Sequence, residues 1–178
     1  MDFDIAPLDR LNRISIVALV ILTVAMLSMP LWYPLVTKEI VPGLIQLMLL
    51  LPGVIMLVAL TVASGFAPRG YRLTETELVV RRRVFGSKTY HLSSFTAIDD
   101  GGKIFKRSHK LGGSAGFLGY YGGFRNKLWG NFEAQATDKD KGLILSGSKS
   151  LYISPAETQL FKDIFKAKLE GLSRHRGA

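Results

Sequence analysis

"KLGGSAGFLGYYGGF", Lys110 to Phe124, supports two readings that lead to different folds. Gly112-Gly113-Ser114-Ala115-Gly116 spells G-x-S-x-G, the signature of a nucleophile elbow, which would make Ser114 the nucleophile of a serine hydrolase. The same residues set Gly113, Gly116, Gly119 and Gly122 three apart among Phe117, Tyr120, Tyr121 and Phe124, as in backbone that bends or approaches a neighbour closely. An elbow needs a strand before the serine and a helix after it. Seven glycines from Gly112 to Gly130 oppose that helix, each costing about 1 kcal/mol relative to alanine. The order Ser114, then Asp138 or Asp140, then His175 matches a hydrolase, but His175 falls in the polar terminal stretch SRHRGA. The soluble part is also too short for a doubly wound sheet with helices on both faces. The stretch reads as architecture, with the hydrolase kept as an alternative.

The remainder of the chain says what that architecture is attached to. From Ile14 to Tyr33, "ISIVALVILTVAMLSMPLWY" is uncharged, and so is the run from Ile40 to Ala67. Each is long enough to cross a bilayer core, which takes about 20 apolar residues in helical form. A helix apolar on every face over that length has no surface for water. The first run is not a cleaved leader: Asp2, Asp4 and Asp9 precede it beside Arg10 and Arg13, and Pro30-Leu31-Trp32-Tyr33 is no small-residue cleavage site. The sequence therefore predicts an N-terminal tail over 1–13 and a transmembrane hairpin over 14–67. Its helices span about 14–33 and 40–67, with a turn near Pro34 to Glu39 and kinks at Pro42 and Pro52.

Charge sets the expected orientation. The tail carries Arg10 and Arg13 and the turn only Lys38, whereas Arg69, Arg72, Arg81, Arg82 and Arg83 follow the second run. By the positive-inside rule, both termini face the cytoplasm of a multi-pass protein of the plasma (inner) membrane. The 178-residue chain has 23 Lys+Arg against 14 Asp+Glu, and the excess belongs to the part from Arg69 onward. A basic domain tethered beside an anionic leaflet is drawn to its headgroups. The chain has no cysteine, which excludes disulfides, a thiolate nucleophile and cysteine zinc sites.

Residues 69–172 read mostly as short strands. "GYRLTETELVVRRRVFGSKTYHL" gives three, with turns at Glu75–Glu77 and Gly86-Ser87. "FTAIDDGGK" gives a fourth, closed by a turn at Asp99-Asp100. "NFEAQATDKDKGLILSGSKSLYIS" gives three more, with turns at Asp138–Gly142 and Gly147-Ser148. Ser154-Pro155-Ala156-Glu157 then matches a capping box. Leu160, Phe161, Ile164, Phe165 and Leu169 form one helical face, Gly171 offers a stop, and 173–178 follow as a polar tail.

At this point the chain resembles the bacterial pleckstrin-homology (PH) domain proteins in which the domain follows a pair of membrane helices. The resemblance runs from Tyr71 to Leu169. It is carried by "GYRLTETELVVRRRVFG", by "RSHKLGGSAGFLGYYGGFRNKLWG" with "QATD" after it, and by "LYISPAE". It implies a PH-like barrel or sandwich of about seven strands in two packed antiparallel sheets, with a C-terminal capping helix. Many eukaryotic PH domains hold phosphoinositides through basic residues around their first loop. Here that loop, Thr74-Glu75-Thr76-Glu77, is acidic, which leaves anionic-lipid contact or protein association.

Candidate contact residues are Arg81, Arg82, Arg83, Lys106, Arg107 and Lys110, with Lys103, Arg125 and Lys127 nearby in sequence. No metal site or cofactor is expected. His91, His109 and His175 are scattered, and the "DKDKG" at Asp138 has Lys149 where a calcium loop needs glutamate. Phosphate-loop motifs are missing, and a membrane tether disfavours nucleic acid as a partner. No charge interrupts either apolar run, so the helices offer no ion or proton relay of their own. The expectation is a non-enzymatic, membrane-proximal binding or assembly module. Its partners would be membrane lipids, a protein or a second copy of the chain; the alternatives are an accessory subunit of a transporter or membrane enzyme, and the Ser114 hydrolase.

Overall fold

The two uncharged runs form long helices because their apolar side chains need no water, and hydroxyls such as Thr23 and Thr61 donate back to carbonyls of the preceding turn, Leu19 and Leu57. In the computed structural model, which describes residues 1–38, 42–127 and 129–176, these are α1 (Arg10–Thr37) and α2 (Gly43–Phe66). Both are long and apolar enough to cross a membrane. At about 1.5 Å per residue they measure about 42 and 36 Å, against a hydrocarbon core of about 30 Å. Gly53 lets them touch: a Cβ there would lie 2.9 Å from the backbone nitrogen of Leu27.

The helix limits differ from the sequence expectation at both ends. α1 starts at Arg10, because Asp9 caps it by accepting the Asn12 backbone N–H at 2.8 Å. It continues through Pro30 and Pro34 to Thr37, where Lys38 closes it in the left-handed conformation (φ 56°). Pro42 precedes α2 instead of kinking it, and only Pro52 lies inside. The part of the expected turn at Glu39 and the expected start of the second helix at Ile40 lie outside the described residues.

Beyond the helices the chain is mainly β. The first sheet has the order β1 (Asp2–Asp4), β2 (Pro68–Leu73), β3 (Glu77–Arg82) and β4 (Ser87–His91), all antiparallel. The second contains β5 (Phe95–Asp100), β6 (Ser108–Lys110), β7 (Ser114–Ala115), β8 (Tyr120–Asn126), β9 (Gly130–Ala136), β10 (Leu143–Gly147) and β11 (Leu151–Ile153). Its order is β5-β10-β11-β9-β8-β6, with β7 also on β8. The seven strands read from the sequence are β2–β5 and β9–β11. The other four escaped: β1 lay in the supposed tail, and β6–β8 lay in the glycine-rich stretch.

Several expectations need correction. The sheets do not close into a barrel, and β9 and β11 pair in parallel. Asp99 and Asp100 belong to β5, opposite Ile144 and Leu143, so the turn begins at Gly101. The capping box is not used: α3 (Thr158–Arg176) starts later, and the Ser154 hydroxyl accepts the N–H of Thr137 at 2.9 Å. α3 also runs past Gly171, so 173–176 are helix and not tail. Leu160 is 44% exposed, while Phe161 and Phe165 are fully buried.

Two apolar clusters hold this body together. In the first, Tyr71, Leu78 and Val80 of one sheet meet Phe95, Leu143 and Ile153 of the other, with Phe161 and Phe165 of α3 inserted beside them. Phe3 of β1 meets Phe161 edge-on at 4.9 Å, so the N-terminus is part of this core. In the second, on the opposite face of the larger sheet, Phe105 contacts Tyr120, Phe124, Phe132 and Tyr152 at centroid distances of 4.9–5.6 Å. A domain begun at Arg69 would lack β1, so it is not a complete unit.

Among the described residues one ion pair joins the sheets: Lys88 Nζ on β4 reaches both Glu133 carboxylate oxygens on β9 at 2.7 Å. Burial raises the Glu133 pKa, but hydrogen bonds from Lys88 and Gln135 outweigh it and hold the carboxyl below its usual range. A depressed carboxylate stabilises the fold above its unfolded-state pKa of about 4.3 and loses that contribution as pH falls through the lower, folded value. Glu133→Gln should therefore lower stability by about 1 kcal/mol at pH 7, with Lys88 left partly exposed to solvent. The difference from wild type should shrink towards pH 3 in thermal unfolding of the full chain; an unchanged difference would show that the pair is not the source.

Candidate functional site

Tyrosines, a glycine hairpin and the first turn of α1 meet where the helices enter the β body. The centre is Asn12, which has no solvent exposure. A buried amide must find partners for both its donor and acceptor ends. Its Nδ2 donates to Asp9 Oδ1 at 2.9 Å and to the Thr137 carbonyl at 3.1 Å, and its Oδ1 accepts the Gly119 N–H at 3.0 Å. Asp9 Oδ2 accepts the Tyr120 hydroxyl at 2.9 Å. Burial, reinforced by the Asp9 carboxylate, raises the Tyr120 pKa, so the phenol keeps its proton and donates.

Thr137 carries the network inward. Its hydroxyl donates to the Ala6 carbonyl, and its N–H donates to Ser154 Oγ. The Ser154 N–H in turn donates to the Tyr71 hydroxyl at 3.0 Å, which donates to the Gln135 carbonyl at 2.5 Å. Burial raises the Tyr71 pKa as well. The α1 N-terminus is thus hydrogen-bonded through to the centre of the β body.

α2 is attached at its other end. Ala67 turns its N–H to the Ser64 carbonyl, so the Ala63 carbonyl has no donor from the next turn. The Tyr121 hydroxyl fills that place at 2.6 Å. The β3–β4 turn adds three backbone bonds: Val84 and Phe85 donate to Gly65, and Arg83 donates to Ala67. Phe85 also packs on Phe66 at 4.6 Å.

The glycine stretch is the hairpin that reaches this junction, which answers the question raised by its sequence. Gly113 and Gly122 face each other across β7 and β8 with φ of 95° and 109°. A Cβ on either would collide with a carbonyl oxygen of the opposite segment, Tyr121 or Gly112. Ser114 lies on β7 with no helix behind it. Its hydroxyl donates to the Phe117 carbonyl at 3.1 Å and accepts the Phe117 N–H at 3.3 Å, a local turn contact. The elbow setting is absent here, and the side chain of His175 lies outside the described residues. The Asp138 carboxylate accepts the N–H groups of Asp140 and Lys141, which makes DKDKG an Asx turn.

The six candidate cations do not form one patch. Lys106 and Arg107 line a cleft with Lys103, Asn126 and the half-exposed Trp129. Lys110 faces a different groove, beside the helices. Arg83 lines a third with Arg69 and the Pro7-Leu8 segment. Arg82 turns inward, its guanidinium 5.7 Å from the Phe66 ring centre. Arg81 is exposed on β3, opposite Gly70 and Ser87. Sequence reading passed over Asp9 and Asn12, although an aspartate just before an apolar helical run is an N-cap signal.

No protein-family model, curated protein or solved structure matches the chain. Asn12→Leu should strand the buried Gly119 N–H and weaken the hold on Thr137, costing about 2 kcal/mol or more. Thermal unfolding of the full chain in detergent should register that loss. An Asn12→Leu midpoint equal to wild type would mean that the junction does not depend on this amide.

Proposed function

We propose that the protein is a non-enzymatic integral membrane protein whose helix pair spans the cytoplasmic membrane with both termini inside. Its PH-like domain then works as a membrane-proximal binding and assembly module in contact with anionic headgroups. The observation that carries this reading is the junction itself. Apolar, outward-facing helices end where the β body is bonded to them, and basic side chains surround that level: Arg69, Arg83 and Lys110 line the clefts that adjoin the helix ends. A body held this close needs little intrinsic affinity, because tethering supplies a high effective concentration at the leaflet.

Two further features support it. β1 pairs with β2, so the residues before α1 and after α2 lie at the same end of the helix pair, as a hairpin with both termini on one side requires. The PH-like reading draws on two facing sheets with α3 packed on their common core. Val84, Phe85 and Leu111 are exposed apolar side chains on the body, suited to the edge of a bilayer.

The chain has no cysteine, so single replacements report on one place each. In intact cells a membrane-impermeant maleimide should label Lys38→Cys and leave Lys106→Cys unlabelled. In proteoliposomes, a polarity-sensitive dye on Val84→Cys, exposed beside the end of α2, should report headgroup contact with anionic vesicles but not neutral ones. That contact should fade as salt shortens the screening length below about 8 Å. The reverse labelling pattern would overturn the orientation, and a salt-independent or lipid-independent signal would remove the headgroup contact.

A further inference from the structure

A groove of about 960 Å³ runs along the helix pair and ends against the glycine hairpin. Its long wall is a stripe of α2 side chains at helical spacing, Val54, Val58, Val62 and Phe66, each at least 39% exposed. Ser15 and Leu19 of α1 line it too, as does the hairpin from Gly113 to Phe117. From Val54 to Phe66 the helix rises about 18 Å, close to the depth of one leaflet's hydrocarbon, about 15 Å.

The ends of the groove differ in chemistry. Towards Val54 it is wholly apolar. At the hairpin it gains Lys110, the Ser114 hydroxyl and Tyr121. Among the described residues Lys110 has no carboxylate partner, whereas Lys88, Lys162 and Lys168 each have one. The hairpin is bonded to α2 through Tyr121 and lies against Leu11 and Ser15 of α1, so the closed end is built and not a passing gap.

An apolar slot one leaflet deep, with an unpaired ammonium at its polar end, matches one class of occupant. Resting on the membrane placement proposed above, we infer that the groove holds one anionic phospholipid of the surrounding leaflet. One acyl chain lies along the valine stripe, and the phosphate meets Lys110. The tyrosine hydroxyl is already committed to the Ala63 carbonyl, so Lys110 supplies the charge selectivity. The lipid covers the exposed α2 stripe that borders the hairpin.

The test uses the full chain in detergent, offered phosphatidylglycerol or phosphatidylcholine with identical acyl chains, and native mass spectrometry to count retained lipid. Wild type should keep one phosphatidylglycerol with about fivefold preference over phosphatidylcholine, the scale of one lysine's attraction to an anionic headgroup. Lys110→Gln, an exposed change that leaves the fold intact, should remove the preference. Val58→Trp should expel both lipids, while Lys106→Gln and Arg107→Gln should change neither. Equal retention of the two lipids by wild type, unchanged preference in Lys110→Gln, or a stable dimer that excludes lipid would overturn the inference. Those results leave the maleimide pattern untouched, so failure here is separable from failure of the membrane reading.

Discussion

A side-chain amide buried in the first turn of a helix admits few arrangements. Asn12 has no water to fall back on, so its donors and acceptor must be met by Asp9, Thr137 and Gly119 at once. Those partners come from the helix cap, from the end of β9 and from the start of β8. Satisfying one residue therefore fixes the direction in which α1 leaves the β body. The serial bonds through Thr137, Ser154 and Tyr71 extend the constraint into the core, where fully buried aromatic rings leave little room for adjustment.

The second attachment turns a direction into an orientation. Tyr121 holds α2 at Ala63, three residues before its end, while the β3–β4 turn takes the last carbonyls. Two helices held at neighbouring points by one hairpin cannot swing separately, and the tight Gly53–Leu27 contact aligns them further along. The groove beside α2 is a consequence: the hairpin has to stand against the helices to deliver Tyr120 and Tyr121, and the space above it stays open. The glycines serve that delivery, since β7 and β8 approach too closely at Gly113 and Gly122 for side chains.

Much of this was legible in the sequence, and the failures share a cause. Uncharged runs announced both helices, and alternation with turn residues announced β2–β5 and β9–β11. Those signals are local. β1 is three residues held as a strand by pairing with β2 and by Phe3 reaching α3, and no window around Asp2–Asp4 contains either partner. β7 and β8 were hidden because glycine lowers strand propensity where backbone proximity, a tertiary demand, requires it, and β6 because Ser108-His109-Lys110 has no apolar residue to alternate. Ser154-Pro155-Ala156-Glu157 misled for the same reason: the hydroxyl that could have capped α3 is taken by Thr137. The basic residues were visible as a composition, but not their division among three clefts, which depends on where hairpins end.

The central claim is that the helix pair and the β body move as one unit. Spin labels at Lys38→Cys and Ser148→Cys, both exposed in a chain free of other cysteines, would place one label at the far end of α1 and one on the body. Double electron–electron resonance on the full chain in lipid nanodiscs should give a single narrow distance distribution. The same pair with Asn12→Leu added should give a broad one. A broad distribution with Asn12 in place would contradict the account, because the junction would then be a flexible linker.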